Sequence, residues 1–159
     1  MARADDTFDA AFDHLRMLAY RAAYRLLGSA ADSEDIAAEA LIRAYSRWRQ
    51  VADHAEPWIV TVATNLALDR ARKTTVARTH ASALVTHDST ADPHLEERLD
   101  LQAALAALPR RQREVVALRF LADWSERDTA QALGLDVGTV KSHTSRALTR
   151  LRTLVTPEA

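Results

Sequence analysis

The sequence contains no cysteine among its 159 residues, and it has only 3 glycines and 4 prolines. The absence of cysteine excludes disulfides, thiolate metal sites and cysteine nucleophiles. Few glycines and prolines mean few turn-forming residues, of which a sheet protein of this length needs many. The chain also lacks an apolar run long enough to span a bilayer, and its acidic N-terminus lacks an apolar signal segment. These features predict a cytoplasmic protein.

The residues that are abundant favour helices. Alanine occurs 32 times and leucine 20 times, whereas valine and isoleucine together occur 13 times. Alanine and leucine are strong helix formers, and β-branched residues prefer strands. The composition therefore predicts an all-α fold.

Charge is almost balanced, with 21 basic and 22 acidic residues and a net charge of −1. A protein that binds nucleic acid over a large surface is usually basic. The only basic excess lies in residues 100–159, which hold 9 basic and 7 acidic residues. Any DNA binding should therefore be local or depend on a partner.

Helical periodicity divides the chain into two parts. The pattern predicts helices over residues 8–27 and 33–48, the second capped by Asp32, then a polar loop over 49–56 and a helix beginning at Pro57. Residues 74–94 lack a sustained apolar face and are read as a flexible linker. Two small helical domains, residues 1–73 and 95–159, are thus predicted.

A helix-turn-helix is predicted in the second domain. Ser125 and Asp128 form a capping pair, Gly134 suits the left-handed turn, and Asp136 can cap the next helix, where Val140 is an apolar anchor. The opposite face of that second helix carries side chains that reach bases and phosphates, namely Lys141, Ser142, Ser145 and Arg146. The pattern favours this interpretation over an ordinary helical hairpin.

Three stretches together resemble extracytoplasmic-function (ECF) sigma factors of bacterial RNA polymerase. Residues 26–28 with 32–36 and 39–45 resemble the family's core-binding helix, and residues 56–59 with 63–70 resemble its promoter-melting helix. Residues 108–115 with 134–142 resemble its fourth region. Two positions depart from the family pattern, Ala38 in the core-binding helix and His143 in the recognition helix.

The resemblance implies a role for each part. Residues 1–73 would be the region 2 domain, which binds core polymerase and recognises and melts the −10 element, with polymerase contacts from Asp35, Glu39 and Arg43. Residues 49–56 would correspond to the loop that captures a flipped base, and the melted strand would pass Asn65, Arg70, Arg72 and Lys73. Residues 95–159 would be the region 4 domain, reading the −35 element through Lys141, Ser142, Ser145 and Arg146.

The implied partners are the RNA polymerase core, through the β′ clamp helices and the β subunit, promoter DNA, and an anti-sigma factor. Neither a small-molecule substrate nor a cofactor is implied, and no catalytic constellation is present.

His80, His87 and His94 are spaced seven residues apart. On a helix this spacing puts neighbouring histidines roughly 10 Å apart, which is too far for them to bind one metal ion. The alternative function is an autonomous helix-turn-helix regulator whose N-terminal half senses a ligand or dimerises.

Overall fold

The computed structural model describes residues 4–81 and 93–155, and every regular element within these ranges is helical. The predicted all-α fold is confirmed. The first group of helices consists of α1 (Ala4–Leu27), α2 (Ala30–Ser46), the single turn α3 (Trp48–Val51), a 3₁₀ turn (Ala52–His54) and α4 (Ala55–Ala81). None of the helices in the described ranges is both long and apolar enough to cross a membrane.

The junction of α1 and α2 is built from a left-handed glycine and a serine cap. Gly28 follows α1 with φ of 64°, as its predicted place after the helix requires. The cap of α2 is Ser29 and not Asp32: the Ser29 hydroxyl accepts the Asp32 backbone N–H at 3.2 Å. The predicted cap was wrong because Ser29 takes the extended conformation three residues earlier, so that α2 begins at Ala30.

Residues 49–56, predicted as a polar loop, are almost entirely helical. The chain turns through α3 and the 3₁₀ segment and enters α4 at Ala55. Pro57 is the third residue of α4 and not its first. Its missing N–H costs nothing there, because the first-turn N–H groups have no intrahelical partner.

The fourth helix runs well beyond Lys73, through residues that the sequence pattern assigns to the linker. The hydroxyls of Thr74, Thr75 and Thr79 donate to the carbonyls four residues earlier, at 2.9–3.0 Å. These bonds satisfy the threonine side chains without interrupting the helix, and residues 72–81 are all exposed. Residues 82–92 of the predicted linker, including His87, lie outside the described residues.

The second group begins with α5 (Leu95–Ala107) and α6 (Arg110–Val116), separated by Leu108 and Pro109. A π-helical turn (Ala117–Leu121) follows, and α7 (Glu126–Leu133) and α8 (Val137–Val155) complete the group. Ser125 caps α7 by accepting the Asp128 N–H at 3.0 Å, and Gly134 ends it with φ of 64°. A small apolar cluster of Val115, Ala130 and Val140 holds the two helices together. The predicted helix-turn-helix is confirmed.

One hydrophobic core joins the two groups. Leu15, Leu26, Ile36 and Ile59 from the first group are fully buried in the same cluster as residues from α5 to Ala122. The side chain of Gln102 on α5 crosses the boundary and donates to the Leu26 carbonyl at 2.7 Å in a buried position. The two groups are therefore packed against each other.

Candidate polymerase and nucleic-acid interfaces

The charged side chains of α2 fall into two sets. Arg43 and Glu39 pair with each other one turn apart at 2.5 Å, and both are about half exposed. Asp35 lies one turn earlier, 3.9 Å from Arg70 of α4. Of the three predicted polymerase contacts, Glu39 and Arg43 thus form an accessible pair, and Asp35, whose side chain is 69% exposed, is accessible as well.

Two apolar side chains beside this pair are exposed. Ile42 is 69% exposed and Tyr45 is 55% exposed. The Tyr45 ring packs on Phe8 of α1 with a centroid distance of 5.1 Å, which leaves its outer face open. Ile42 could have been found from the sequence, since it lies off the apolar stripe of α2 and between Glu39 and Arg43. We call Glu39, Ile42, Arg43 and Tyr45 the α2 face.

The predicted strand-binding residues of α4 do not share one face. Positions 65, 72 and 73 fall on one side of a helix, whereas position 70 lies about 140° away from position 65. Arg70 Nη1 bonds to Asp32 Oδ1 at 2.6 Å and so ties α4 to α2. Arg72 pairs with Asp69 at 3.2 Å on the surface. Asn65, Arg72 and Lys73, all exposed, are called the strand face below.

The strand face begins at a contact between the two groups of helices. Thr61, Thr64 and Asn65 border a gap of about 10 Å³ whose other wall is Arg110, Arg113, Glu114 and Ala117. A gap of this volume has room for roughly one water molecule. Glu114 is itself buried and accepts bonds from Arg110 at 2.9 Å and Arg111 at 3.0 Å. Thr61 and Thr64 are therefore closely approached by α6, whereas Asn65 remains exposed.

The four predicted base- and phosphate-contacting residues of α8 do form one surface. Lys141, Ser142, Ser145 and Arg146 are all exposed and lie at neighbouring positions one turn apart. Val140 and Ala147, on the opposite side of α8, are fully buried, which fixes the orientation of the helix. Lys141 Nζ lies 3.8 Å from Glu126 of α7. These four residues are called the reading face.

The N-terminus of α8 is held by Asp136. Its carboxylate accepts the Thr139 backbone N–H at 2.8 Å and the Thr139 hydroxyl at 2.7 Å. These bonds stabilise the ionised form and keep the pKa of Asp136 below its usual range. The predicted cap is confirmed, and it sets the start of the helix that carries the reading face.

A wide cleft separates residues 52–57 from the turn before α7. It has a volume of about 880 Å³, and its far wall includes Asp123, Trp124 and Asp128. On the near wall, His14 Nε2 lies 3.1 Å from Glu56 Oε1. Asp123 has a left-handed φ of 60° and bonds Arg25 of α1, which lowers the pKa of the Asp123 carboxyl. The segment predicted to capture a base thus opens towards the second group of helices.

Known protein families match both the N-terminal and the C-terminal group of helices. The family Sigma-70 region 2 matches residues 11–76, and the family Sigma-70, region 4 matches residues 98–151. The RNA polymerase sigma-E factor of Streptomyces avermitilis is 38% identical over 136 residues, covering 83% of this chain and 75% of the relative. The ECF RNA polymerase sigma factor SigL of Mycobacterium tuberculosis is 32% identical, covering 90% of this chain and 85% of the relative.

The chain belongs to the ECF sigma factors of bacterial RNA polymerase. This ECF sigma factor binds core polymerase and directs transcription initiation at specific promoters. The alternative of an autonomous regulator is not favoured, because the half that would hold its sensor matches sigma region 2.

Among solved structures, the sigma factor RpoE of Bartonella quintana, in complex with the anti-sigma factor NepR, is similar to this sigma factor. The two share 24% identity and a TM-score of 0.46, with 92% of each chain covered. BldN in its complex with RsbN gives 27% identity and a TM-score of 0.34, with 92% of this chain and 90% of that chain covered.

Proposed function

We propose that the α2 face docks on the clamp helices of the β′ subunit. An accessible acid–base pair flanked by two exposed apolar side chains has the composition of a docking surface. Charged side chains fix the register of two binding surfaces and speed their association, and apolar side chains add area that is buried on binding. Asp35, exposed one turn earlier on α2, adds a further acidic group beside this pair.

The two DNA-binding roles are proposed for the strand face and the reading face. Asn65, Arg72 and Lys73 offer hydrogen bonds and positive charge to a single strand of the melted −10 element. Arg70 positions α4 against α2, and it reaches the strand only if it leaves Asp32. Lys141, Ser142, Ser145 and Arg146 enter the major groove of the −35 element from an exposed helix whose inner side is buried. That exposed surface on a capped helix is the observation that best supports DNA reading.

The division of the chain follows from these roles. Residues 1–73 are proposed as the region 2 domain and 95–159 as the region 4 domain, with residues between them connecting the two. The protein acts as an initiation factor and not as an enzyme, and it works in the cytoplasm with RNA polymerase. A β-subunit contact and an anti-sigma partner are proposed from the family resemblance alone.

The test is reconstitution with purified core polymerase. With a net charge of −1, the free protein neutralises few phosphates, so we expect weak duplex binding without polymerase. The chain should co-elute with core, and the holoenzyme should initiate at a defined set of sites when transcribing genomic fragments, as mapped from RNA 5′ ends. Core alone is the control. Tight sequence-specific duplex binding by the free chain, without core association, would contradict the proposal.

A further inference from the structure

One acidic side chain lies within the part of α4 for which DNA binding is proposed. Apart from Glu56 in the first turn, Asp69 is the only acidic residue of α4. It follows Asn65 by one turn and lies about 40° around the helix from it. Its side chain is 60% exposed. The strand face therefore has a carboxylate between Asn65 and Arg72.

The Asp69 carboxylate has one oxygen in use and one that is available. Its Oδ1 accepts a bond from Arg72 Nη2 at 3.2 Å, and 74% of the Arg72 side chain is exposed. The Asp69 side chain makes no other bond within residues 4–81 and 93–155. The second oxygen, Oδ2, is thus open to a ligand, and Arg72 keeps its other N–H groups for a phosphate.

The position of this carboxylate is not explained by stability or by phosphate binding. An exposed ion pair adds little to stability, and a carboxylate repels a phosphate backbone. Arg72 and Lys73, three and four residues after Asp69, supply positive charge beside it. A strand on this face is bound best when its phosphate lies against these two cations and a base lies against Asp69.

A carboxylate is selective among bases because it only accepts hydrogen bonds. Adenine, cytosine and guanine each carry an amino group that donates, and acidic side chains accept from the cytosine amino group in DNA. Thymine has no amino group. Its single ring N–H lies between two carbonyl oxygens, which a carboxylate repels. A carboxylate at position 69 thus favours a base with an amino group over thymine.

We propose that Asp69 is a specificity-determining residue, which selects a base with an amino group and rejects thymine at one position of the opened strand. The inference rests on the function proposed for the strand face and names the base chemistry that this face recognises. Arg72 holds the carboxylate through Oδ1 and binds a phosphate, and Oδ2 accepts the amino group. The amide of Asn65 both donates and accepts, so it imposes no such restriction one turn earlier.

The test is the selection of open complexes from a promoter library. One promoter that the unaltered holoenzyme uses is randomised over the segment that opens, and the DNA in heparin-resistant complexes is sequenced. Thymine should be depleted at one position. Asp69→Asn introduces an amide N–H that can donate to the thymine O4, so thymine should rise at least about fivefold at that position and stay unchanged elsewhere.

Two further variants separate base reading from other roles of this pair. Arg72→Ala should weaken binding evenly across the library and retain the depletion of thymine, because Oδ2 still faces the base. Glu34→Gln is the matched control, since it removes a similarly exposed carboxylate that pairs with Arg16 at 3.1 Å and joins α2 to α1. Its base preferences should equal those of the unaltered protein. Circular dichroism and binding to core polymerase show that each variant is folded.

Three results would overturn the inference while the proposed function stands. The first is a library in which the unaltered protein depletes thymine nowhere, and the second is an Asp69→Asn variant with unchanged preferences. The third is equal loss of thymine depletion in Asp69→Asn and Arg72→Ala, which would show that Asp69 only positions Arg72. A chain that forms no holoenzyme would overturn the proposed function, and base selection by Asp69 with it.

Discussion

At the scale of single residues, two buried threonines differ in one hydrogen bond. Thr129 of α7 is fully buried, and its hydroxyl has no partner among the described residues. Thr64 of α4 is equally buried, but its hydroxyl donates to the Val60 carbonyl at 2.7 Å. Valine has nearly the same shape as threonine, so replacing either one tests the hydroxyl alone.

Thr129→Val should increase the free energy of unfolding by about 1 kcal/mol, because it removes a buried polar group that lacks a partner. Thr64→Val should be neutral or destabilising, because its hydroxyl is satisfied. Thermal or urea unfolding of both variants checks the difference. Equal changes at the two positions would show that the bonding state of the hydroxyl does not matter.

The cap residue Asp136 predicts a dependence of stability on pH. Its pKa is lowered in the folded protein by bonds from Thr139, so its ionised form stabilises the native state. That contribution is complete above the unfolded pKa of about 4 and is lost as pH falls through the lower folded value. The melting temperature should therefore fall less steeply with acid in Asp136→Asn than in the unaltered protein. Asp123 is present in both proteins, so its contribution cancels in the comparison. Parallel curves of melting temperature against pH would therefore show that Asp136 contributes nothing.

At the scale of elements, the sequence predicts a helix start or end correctly wherever the residues that fix it are close together in the chain. Ser125, Gly134 and Asp136 act within four residues of themselves, and the sequence predicts all three correctly. Ser29 was missed because Ser29 and Asp32, three residues apart, are both residue types that favour the N-cap position. The extension of α4 was missed because Thr74–Thr79 read as linker, although their hydroxyls bond back along the helix.

The paired charges of the α2 face give a prediction at the same scale. The double variant Glu39→Arg with Arg43→Glu reverses the surface charges but retains an ion pair one turn apart. Its free energy of unfolding should change by under about 0.5 kcal/mol, as for most exposed substitutions. Its binding to core polymerase should weaken, because the order of charges no longer matches the partner. A pull-down with core that shows unchanged affinity would refute docking through α2.

At the scale of the whole molecule, the sequence pattern predicts two DNA-binding surfaces but not how they lie relative to each other. The pairing of Arg70 with Asp32 and the contact of Arg25 with Asp123 join residues far apart in the chain. Helical periodicity carries no information about such contacts. The folded arrangement therefore changes the interpretation of Arg70, from a strand contact to a residue that fixes α4 on α2.

The last prediction separates the two surfaces by the step at which each acts. Arg146→Ala should weaken closed-complex formation, because we propose that the reading face binds duplex DNA. If Arg146 bonds a base edge, the loss should be about 1–3 kcal/mol and preference should relax at one −35 position. If it bonds phosphate alone, binding should weaken evenly across sequences, with a shallower salt dependence. Arg150→Ala, an exposed arginine one turn further along α8, is the matched control.

Asn65→Ala should instead leave the closed complex intact and reduce strand opening, because a single strand exists only after melting. Holoenzyme binding and permanganate reactivity on the mapped promoters separate the two steps. A pre-melted template supplies the open strand in advance, so it should restore part of the activity of Asn65→Ala and leave the −35 defect of Arg146→Ala unchanged. If both variants fail equally at the closed complex, the strand face and the reading face do not act at separate steps.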